Sequence, residues 1–75
     1  MNIENLVGMA NDIGNFFISE AGEQDAPKAI AGHMSRFWEP RMRLAIIAHA
    51  NAGGEGLSTP AKAAVLLLVP PAKRD

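Results

Sequence analysis

The side chains that could perform acid–base or nucleophilic chemistry in this 75-residue chain are few and widely spaced. His33 and His49 are its two histidines, and neither belongs to the HExxH pattern of helix-borne zinc sites. Ser35 follows His33 by two positions, a spacing that turns two side chains to different faces of a helix. Cysteine is absent, which excludes thiol catalysis, disulfides and cysteine-ligated metal or iron–sulfur sites. The sequence therefore predicts no catalytic residue, no metal site and no cofactor bound by this chain.

The segment Gly53-Gly54-Glu55-Gly56 has the glycine content of a phosphate-binding loop. It lacks the Gly-Lys-Ser/Thr that completes such a loop, and it follows no predicted strand. An acidic residue also lies at its centre, where an anion would have to bind. We interpret the segment as a helix terminator followed by a turn.

Aromatic, methionine and arginine side chains concentrate between residues 33 and 43, which read HMSRFWEPRMR. These residue types are enriched in the centres of protein interfaces, and a guanidinium can bind a carboxylate through two hydrogen bonds. The sequence therefore predicts a partner-binding corner. Its candidate contact residues are Arg36, Phe37, Trp38, Pro40, Arg41, Met42 and Arg43. The alternative is intramolecular: Phe37 and Trp38 fill the chain's own core, while the arginines pair with acidic residues of the first helix. Both roles can hold together, because a corner has an inner and an outer side.

Helices are expected to position this corner, because apolar residues recur at helical spacing and no stretch alternates as a strand does. Asn2 is the predicted N-cap of the first helix, and Gly22 is predicted to end it. Gly8 and Gly14 lie inside the helix, which would make sense if another backbone approaches closely there. One apolar face is expected, formed by Ile3, Leu6, Val7, Ala10, Ile13 and Phe17.

Prolines and glycines mark the remaining helices. Asp25-Ala26-Pro27 predicts a start, because proline is tolerated in the first turn of a helix. This second helix is expected to run to about Phe37. The side chains that it should bury are Ala26, Ile30, His33, Met34 and Phe37.

Pro40 is predicted to stop the second helix and to begin a third over residues 41–50, which Gly53-Gly54 end. Ser58-Thr59-Pro60 begins a last helix, which Pro70-Pro71 end. The predicted fold is an all-α small bundle of three to four short helices, with proline-started helices and short loops. Residues 1–69 are expected to form one domain, and residues 70–75 a frayed tail.

The last helix carries more apolar side chains than a bundle of this size can cover. Its inner stripe is expected to be Ala61, Ala64, Val65 and Leu68, while Leu66, Leu67 and Val69 cover most of the remaining surface. A helix that is apolar all round is buried on more than one side, and an exposed apolar patch usually marks an interface. Small folds without disulfides also tend to need a partner, so both observations predict association.

The charge pattern makes two other classes of partner unfavourable. The net charge is −1; residues 1–27 carry five acids and no base, whereas residues 28–75 carry seven bases and three acids. So few bases disfavour nucleic-acid binding. The longest apolar run, Ala63–Val69, is too short to span a membrane, and the amino-terminal residues lack the basic region of a secretory signal. We therefore expect a cytoplasmic protein that binds neither nucleic acid nor a membrane.

Three stretches of the chain resemble the delta subunit of NAD-dependent formate dehydrogenase. They are LVGMANDIGNFF (Leu6–Phe17), IAGHMSRFWEPRMR (Ile30–Arg43) and HANAGGEGLS (His49–Ser58). The resemblance covers roughly residues 3–59. Its most specific part is the run Arg-Phe-Trp-x-Pro-Arg-Met, and the positions that match the family's signature are His33, Arg36, Phe37, Trp38, Pro40, Arg41 and Met42.

The resemblance implies a non-catalytic accessory subunit that binds and stabilises, or helps to assemble, the large catalytic (alpha) subunit of a molybdenum- or tungsten-dependent formate dehydrogenase. In such complexes the large subunit holds bis-molybdopterin guanine dinucleotide and iron–sulfur clusters. Other subunits, the beta and gamma subunits among the implied partners, hold FMN and react with NAD. The delta subunit itself carries no redox centre.

Two alternatives remain open at the level of the sequence. The first is a transient maturation chaperone for molybdenum cofactor insertion into the same enzyme, which leaves once the cofactor is bound. The second, and the less favoured, is a small helical DNA-binding regulator. A helix over residues 41–50 would offer only Arg41, Arg43 and His49 as polar side chains for reading DNA.

Overall fold

A computed structural model of the protein describes residues 2–71 and contains three helices. They are α1 (Ile3–Phe37), α2 (Pro40–Asn51) and α3 (Thr59–Leu67), and the described residues include no strand. Both α2 and α3 pack on α1, α3 more extensively than α2. The prediction of an all-α small bundle is confirmed. None of these helices is both long enough and apolar enough to cross a membrane.

Gly22 breaks α1 into two halves that fold against each other. Its backbone has φ 83° and ψ 162°, a conformation that glycine adopts without the steric cost of a side chain. A straight helix would separate the Cα atoms of residues 17 and 33 by about 24 Å. The ring centroids of Phe17 and His33 are instead 6.0 Å apart. The predicted break at Gly22 is confirmed.

The start predicted at Asp25-Ala26-Pro27 is wrong by a few residues. Gly22 is the one residue inside α1 with non-helical backbone angles, and Pro27 lies inside the helix. Because a turn of a single residue connects the two halves, the second half begins before the proline. Pro27 is half-buried there, so it contributes packing instead of beginning the helix.

The starts of the helices follow the predicted cap residues, whereas α3 ends at Leu67, before the predicted stop at Pro70-Pro71. The Asn2 side chain accepts a hydrogen bond from the Glu4 amide at 2.8 Å, and Ser58 Oγ accepts one from the Ala61 amide at 3.3 Å. Pro40 is the first residue of α2. Of the predicted tail, Pro70 and Pro71 have no regular structure, while residues 72–75 lie outside the described residues.

The core is built from one stripe of each helical segment. Its buried residues are Leu6, Ala10, Ala26, Ile30, Met34, Trp38, Ile46, Ala50, Ala61, Ala64, Val65 and Leu68. The first-helix face predicted from the sequence either belongs to this core or packs against it, and the stripe predicted for α3 is buried.

The two glycines within the first half of α1 have different environments. A Cβ on Gly14 would lie 3.7 Å from Ile30 Cδ1 and 3.8 Å from Ala61 Cβ, so side chains of the second half of α1 and of α3 pack against it at ordinary van der Waals distance. These neighbours are side chains and not the backbone that was expected to approach. The expectation is wrong at Gly8, where a Cβ would meet nothing within 4 Å.

Asn11 fixes the α2–α3 loop on α1. Its side-chain Nδ2 donates to the Gly56 carbonyl at 2.9 Å, and its Oδ1 accepts from the Ser58 amide at 2.8 Å. Since Ser58 is the N-cap of α3, one amide side chain sets both the loop and the start of that helix. A further contact joins His49 Nε2 to the Glu55 carbonyl at 2.7 Å.

Replacing Asn11 with alanine is expected to lower the free energy of unfolding by about 2–3 kcal/mol, because two hydrogen bonds are lost and the Ser58 amide is left unpaired. Urea denaturation followed by circular dichroism measures this. Asn15→Ala is the matched control: Asn15 lies one turn further along α1 and is exposed, so its loss should change stability by less than about 0.5 kcal/mol. Equal midpoints for the two variants would contradict the role given to Asn11.

Candidate partner-binding surface

Four rings form a continuous row on the surface of α1, which we call the aromatic ridge: Phe16, Phe17, His33 and Phe37. The first two lie before the Gly22 break and the other two after it, so the fold of α1 brings them together. Their centroids are 5.1 Å apart for Phe16–Phe17, 6.0 Å for Phe17–His33 and 4.8 Å for His33–Phe37. The ridge therefore depends on both halves of the helix.

The outer rings of the ridge are exposed, although phenylalanine is usually buried. Phe16 is 58% exposed and Phe37 is 69% exposed, whereas Phe17 and His33 are half-buried between them. The Phe16–Phe17 and Phe17–His33 pairs are edge-to-face, and such contacts typically contribute about 0.5–1.5 kcal/mol. Because the rings already hold one another in place, a partner would lose little free energy in ordering them.

Two surface grooves flank the Phe17–His33 pair. The first groove has a volume of about 250 Å³, and its lining includes Asp12, Ile13 and Phe16. The second groove is larger, about 580 Å³, and Phe37 and Arg36 form part of its wall. The ridge thus separates two recesses that could each receive side chains of a partner.

The predicted partner-binding corner is divided by the structure into an outer and an inner set. The outer set is exposed and consists of Arg36, Phe37, Pro40 and Arg41. The inner set consists of Trp38, which is 5% exposed, Met42, which packs against the core, and Arg43. The predicted burial of Phe37 is wrong: Phe37 is 69% exposed, whereas the adjacent Trp38 is buried in the core.

The spacing of the buried side chains explains this division. Ala26, Ile30, Met34 and Trp38 follow one another at intervals of four, which keeps them on one side of the helix. His33 and Phe37 lie four apart on the neighbouring side. Trp38 ends the helix, and its amide donates to the Met34 carbonyl at 2.9 Å.

Arg43 holds the corner together from the inside. Its Nη1 donates to the Trp38 carbonyl and, at 3.4 Å, to the Ser35 carbonyl. These carbonyls belong to the last turn of α1 and to its C-cap residue, where no further helical amide is available to them. Arg43 therefore stabilises the junction between α1 and α2 through the main chain.

The residues that were considered as candidates for catalysis or for ligand binding contribute to packing and to a turn. His33 was predicted to be buried but is half-buried, and its ring lies between those of Phe17 and Phe37. Gly53, Gly54 and Gly56 have positive φ angles, which confirms the interpretation of their segment as a turn. Among residues 2–71, no group of three or more histidine, aspartate or glutamate side chains is arranged to hold a metal ion.

Sequence reasoning missed Phe16, whereas Phe17, which was placed on the core face of the first helix, does pack against the core. The missed signal is their adjacency, since two neighbouring aromatic residues on a helix cannot both face one core. The expected apolar excess of the last helix is confirmed: Leu66, Leu67 and Val69 are exposed, forming a second apolar area at the end of α3.

Comparison with known families shows which family the sequence matches. The family model described as "NADH-dependant formate dehydrogenase delta subunit FdsD" matches residues 5–65 of the 75. The matched range contains the whole aromatic ridge and the loop that Asn11 fixes, and it ends before Leu66. No curated protein and no solved structure matches the chain.

Proposed function

The chain belongs to the family of delta subunits of NADH-dependent formate dehydrogenase, and on that premise we propose that it is a non-catalytic accessory subunit acting in the cytoplasm. It binds the large catalytic subunit of the complex and stabilises it. The proposal assigns the bis-molybdopterin guanine dinucleotide, iron–sulfur clusters, FMN and NAD to other subunits, and none of them to this chain.

The aromatic ridge is the observation that carries the proposal. Exposed aromatic side chains are costly to leave in water, and aromatic residues are enriched among those that dominate binding energies. Here two phenylalanines are exposed on the two halves of α1, with an exposed arginine beside them. This combination supports a preformed protein-binding surface.

The proposed mechanism is association. A subunit that binds the folded large subunit, and not its unfolded form, shifts the folding equilibrium by mass action. At a free concentration one hundred times the dissociation constant, this adds about 2.7 kcal/mol to the stability of the partner. Such a gain is enough to keep a marginally stable, cofactor-binding conformation populated.

Co-expression of the affinity-tagged chain with the other subunits tests the proposal. We expect the large subunit to co-purify with one copy of this chain each, and to denature at a lower temperature when the chain is omitted. Recovery in much less than equal amounts from active enzyme would favour a transient maturation chaperone. A large subunit that neither binds the chain nor changes in thermal stability would contradict the proposal.

A further inference from the structure

We propose that the second groove receives a segment of the large subunit that carries a carboxylate, which pairs with Arg36, next to an apolar side chain, which sits over Gly32. This inference rests on the proposed function and names the chemistry of the partner at the same surface. The walls of the groove are aromatic, and its floor is made of small residues.

Gly32 is a helical glycine that no contact within the chain explains. Glycine inside a helix lowers its stability relative to alanine, so a helical glycine needs a reason. Gly14 has one in the packing of the Ile30 side chain against it, and Gly22 has one in its positive φ. Gly32 has neither: like Gly8, it is exposed and a Cβ there would meet nothing within 4 Å, but unlike Gly8 it lines the second groove. The space above it is free for a partner.

The shape of the groove also supports this occupant. Ala29, Gly32 and Ser35 are spaced three residues apart, so they follow one side of the second half of α1. These residues are small and form the floor of the groove. Phe17 and Phe37 also line the groove, and both belong to the aromatic ridge through their contacts with His33. A bulky apolar side chain of the partner can therefore reach the helix backbone beside the ridge.

The charge of the groove determines the chemistry of the occupant. Among residues 2–71, Arg36 is the only charged residue lining the second groove, and it is exposed. A guanidinium binds a carboxylate through two parallel hydrogen bonds, which gives direction as well as affinity. Across the ridge, Asp12 lines the first groove, so the two grooves have opposite charges. A partner segment that crosses the ridge is therefore expected to place its acidic residue in the second groove.

A second copy of this chain is the competing occupant. Residues 1–27 carry five acids and no base, so the acidic half of one copy could supply the carboxylate for Arg36 of another. The large subunit is favoured because the ridge lies within the segment that matches the delta-subunit family. The oligomeric state of the isolated chain separates these two occupants.

The test measures the dissociation constant of the complex between the full chain and the purified large subunit. Gly32→Leu is expected to raise it at least about 30-fold, the scale of an interface hot spot, because the added side chain fills the floor. Gly8→Leu is the matched control: Gly8 is also exposed in α1, lines neither the first nor the second groove, and its substitution should leave the constant unchanged. Both variants should fold, since leucine favours helix more than glycine.

Arg36→Glu should also raise the dissociation constant at least about 30-fold, and Arg36→Lys by a smaller factor, because lysine keeps the charge but loses the planar fork. If the unmodified chain does not bind the large subunit, the proposed function fails. If it binds and both Gly32→Leu and Arg36→Glu bind equally well, the groove proposal alone is overturned. It is also overturned if the two variants abolish a dimer of the isolated chain while leaving the complex intact.

Discussion

Trp38→Ala is expected to lower the free energy of unfolding by about 3–5 kcal/mol, the range for removing a buried aromatic side chain. Trp38 is 5% exposed and belongs to the same core as Met34 and Ile46. A chain of this size has a total stability of about 4–11 kcal/mol, so the variant loses a large part of it. We expect it to be partly unfolded at 37 °C.

Phe37→Ala is the matched control, because the neighbouring residue has the same chemical character and is exposed instead of buried. Phe37 is 69% exposed, so its removal should lower stability by less than about 1 kcal/mol, mainly through its lost contact with His33. Thermal and urea denaturation followed by circular dichroism measure both variants. Equal losses of stability would contradict the division of the corner into an inner and an outer set.

Phe37→Ala is expected to have its large effect on binding. Removal of an exposed aromatic anchor from the centre of an interface typically costs 2 kcal/mol or more, which raises the dissociation constant by about 30-fold. Because the same variant remains folded in the free state, this loss cannot be ascribed to unfolding. Isothermal titration of the large subunit with the full chain measures it.

Leu66→Ala provides the comparison for that experiment. Leu66 is also an exposed apolar residue, but it lies on α3 and beyond the segment that matches the family. We expect its removal to change the dissociation constant by less than about threefold, the small effect typical outside the hot spot. A large effect of Leu66→Ala together with none of Phe37→Ala would move the interface from the ridge to the end of α3.

Much of the fold follows from local signals in the sequence. The side chains of Asn2 and Ser58 cap the helices that they were predicted to begin, and Gly22 breaks α1 where its positive φ is needed. These features depend on a few neighbouring residues, which is why they can be read from the chain alone. The exposed apolar residues at the end of α3 were predicted in the same way.

The parts that were missed depend on contacts between distant residues. Asn11 forms hydrogen bonds with the backbone of Gly56 and Ser58, which follow it by 45 and 47 positions in the sequence. No local sequence pattern indicates such a contact. The different burial of Phe37 and Trp38 follows from the stripe of buried residues that packs against the rest of the core. The ridge required the fold-back at Gly22 before Phe17 could meet His33.

The residues around the corner consequently have two different roles. Trp38 and Arg43 hold α1 and α2 in place, one through the core and the other through main-chain carbonyls. Arg36 and Phe37 face outward beside the second groove. A family pattern found in one short run therefore mixes residues that maintain the fold with residues available to a partner.

Hydroxyl-radical footprinting of the free chain and of its complex with the large subunit tests most directly whether the aromatic ridge is the binding surface. The method reports the solvent exposure of single side chains, and phenylalanine is readily modified. We predict that Phe16 and Phe37 lose most of their labelling in the complex, while Leu66 and Leu67 keep theirs. Equal labelling of the two phenylalanines in the free chain and in the complex would contradict the account.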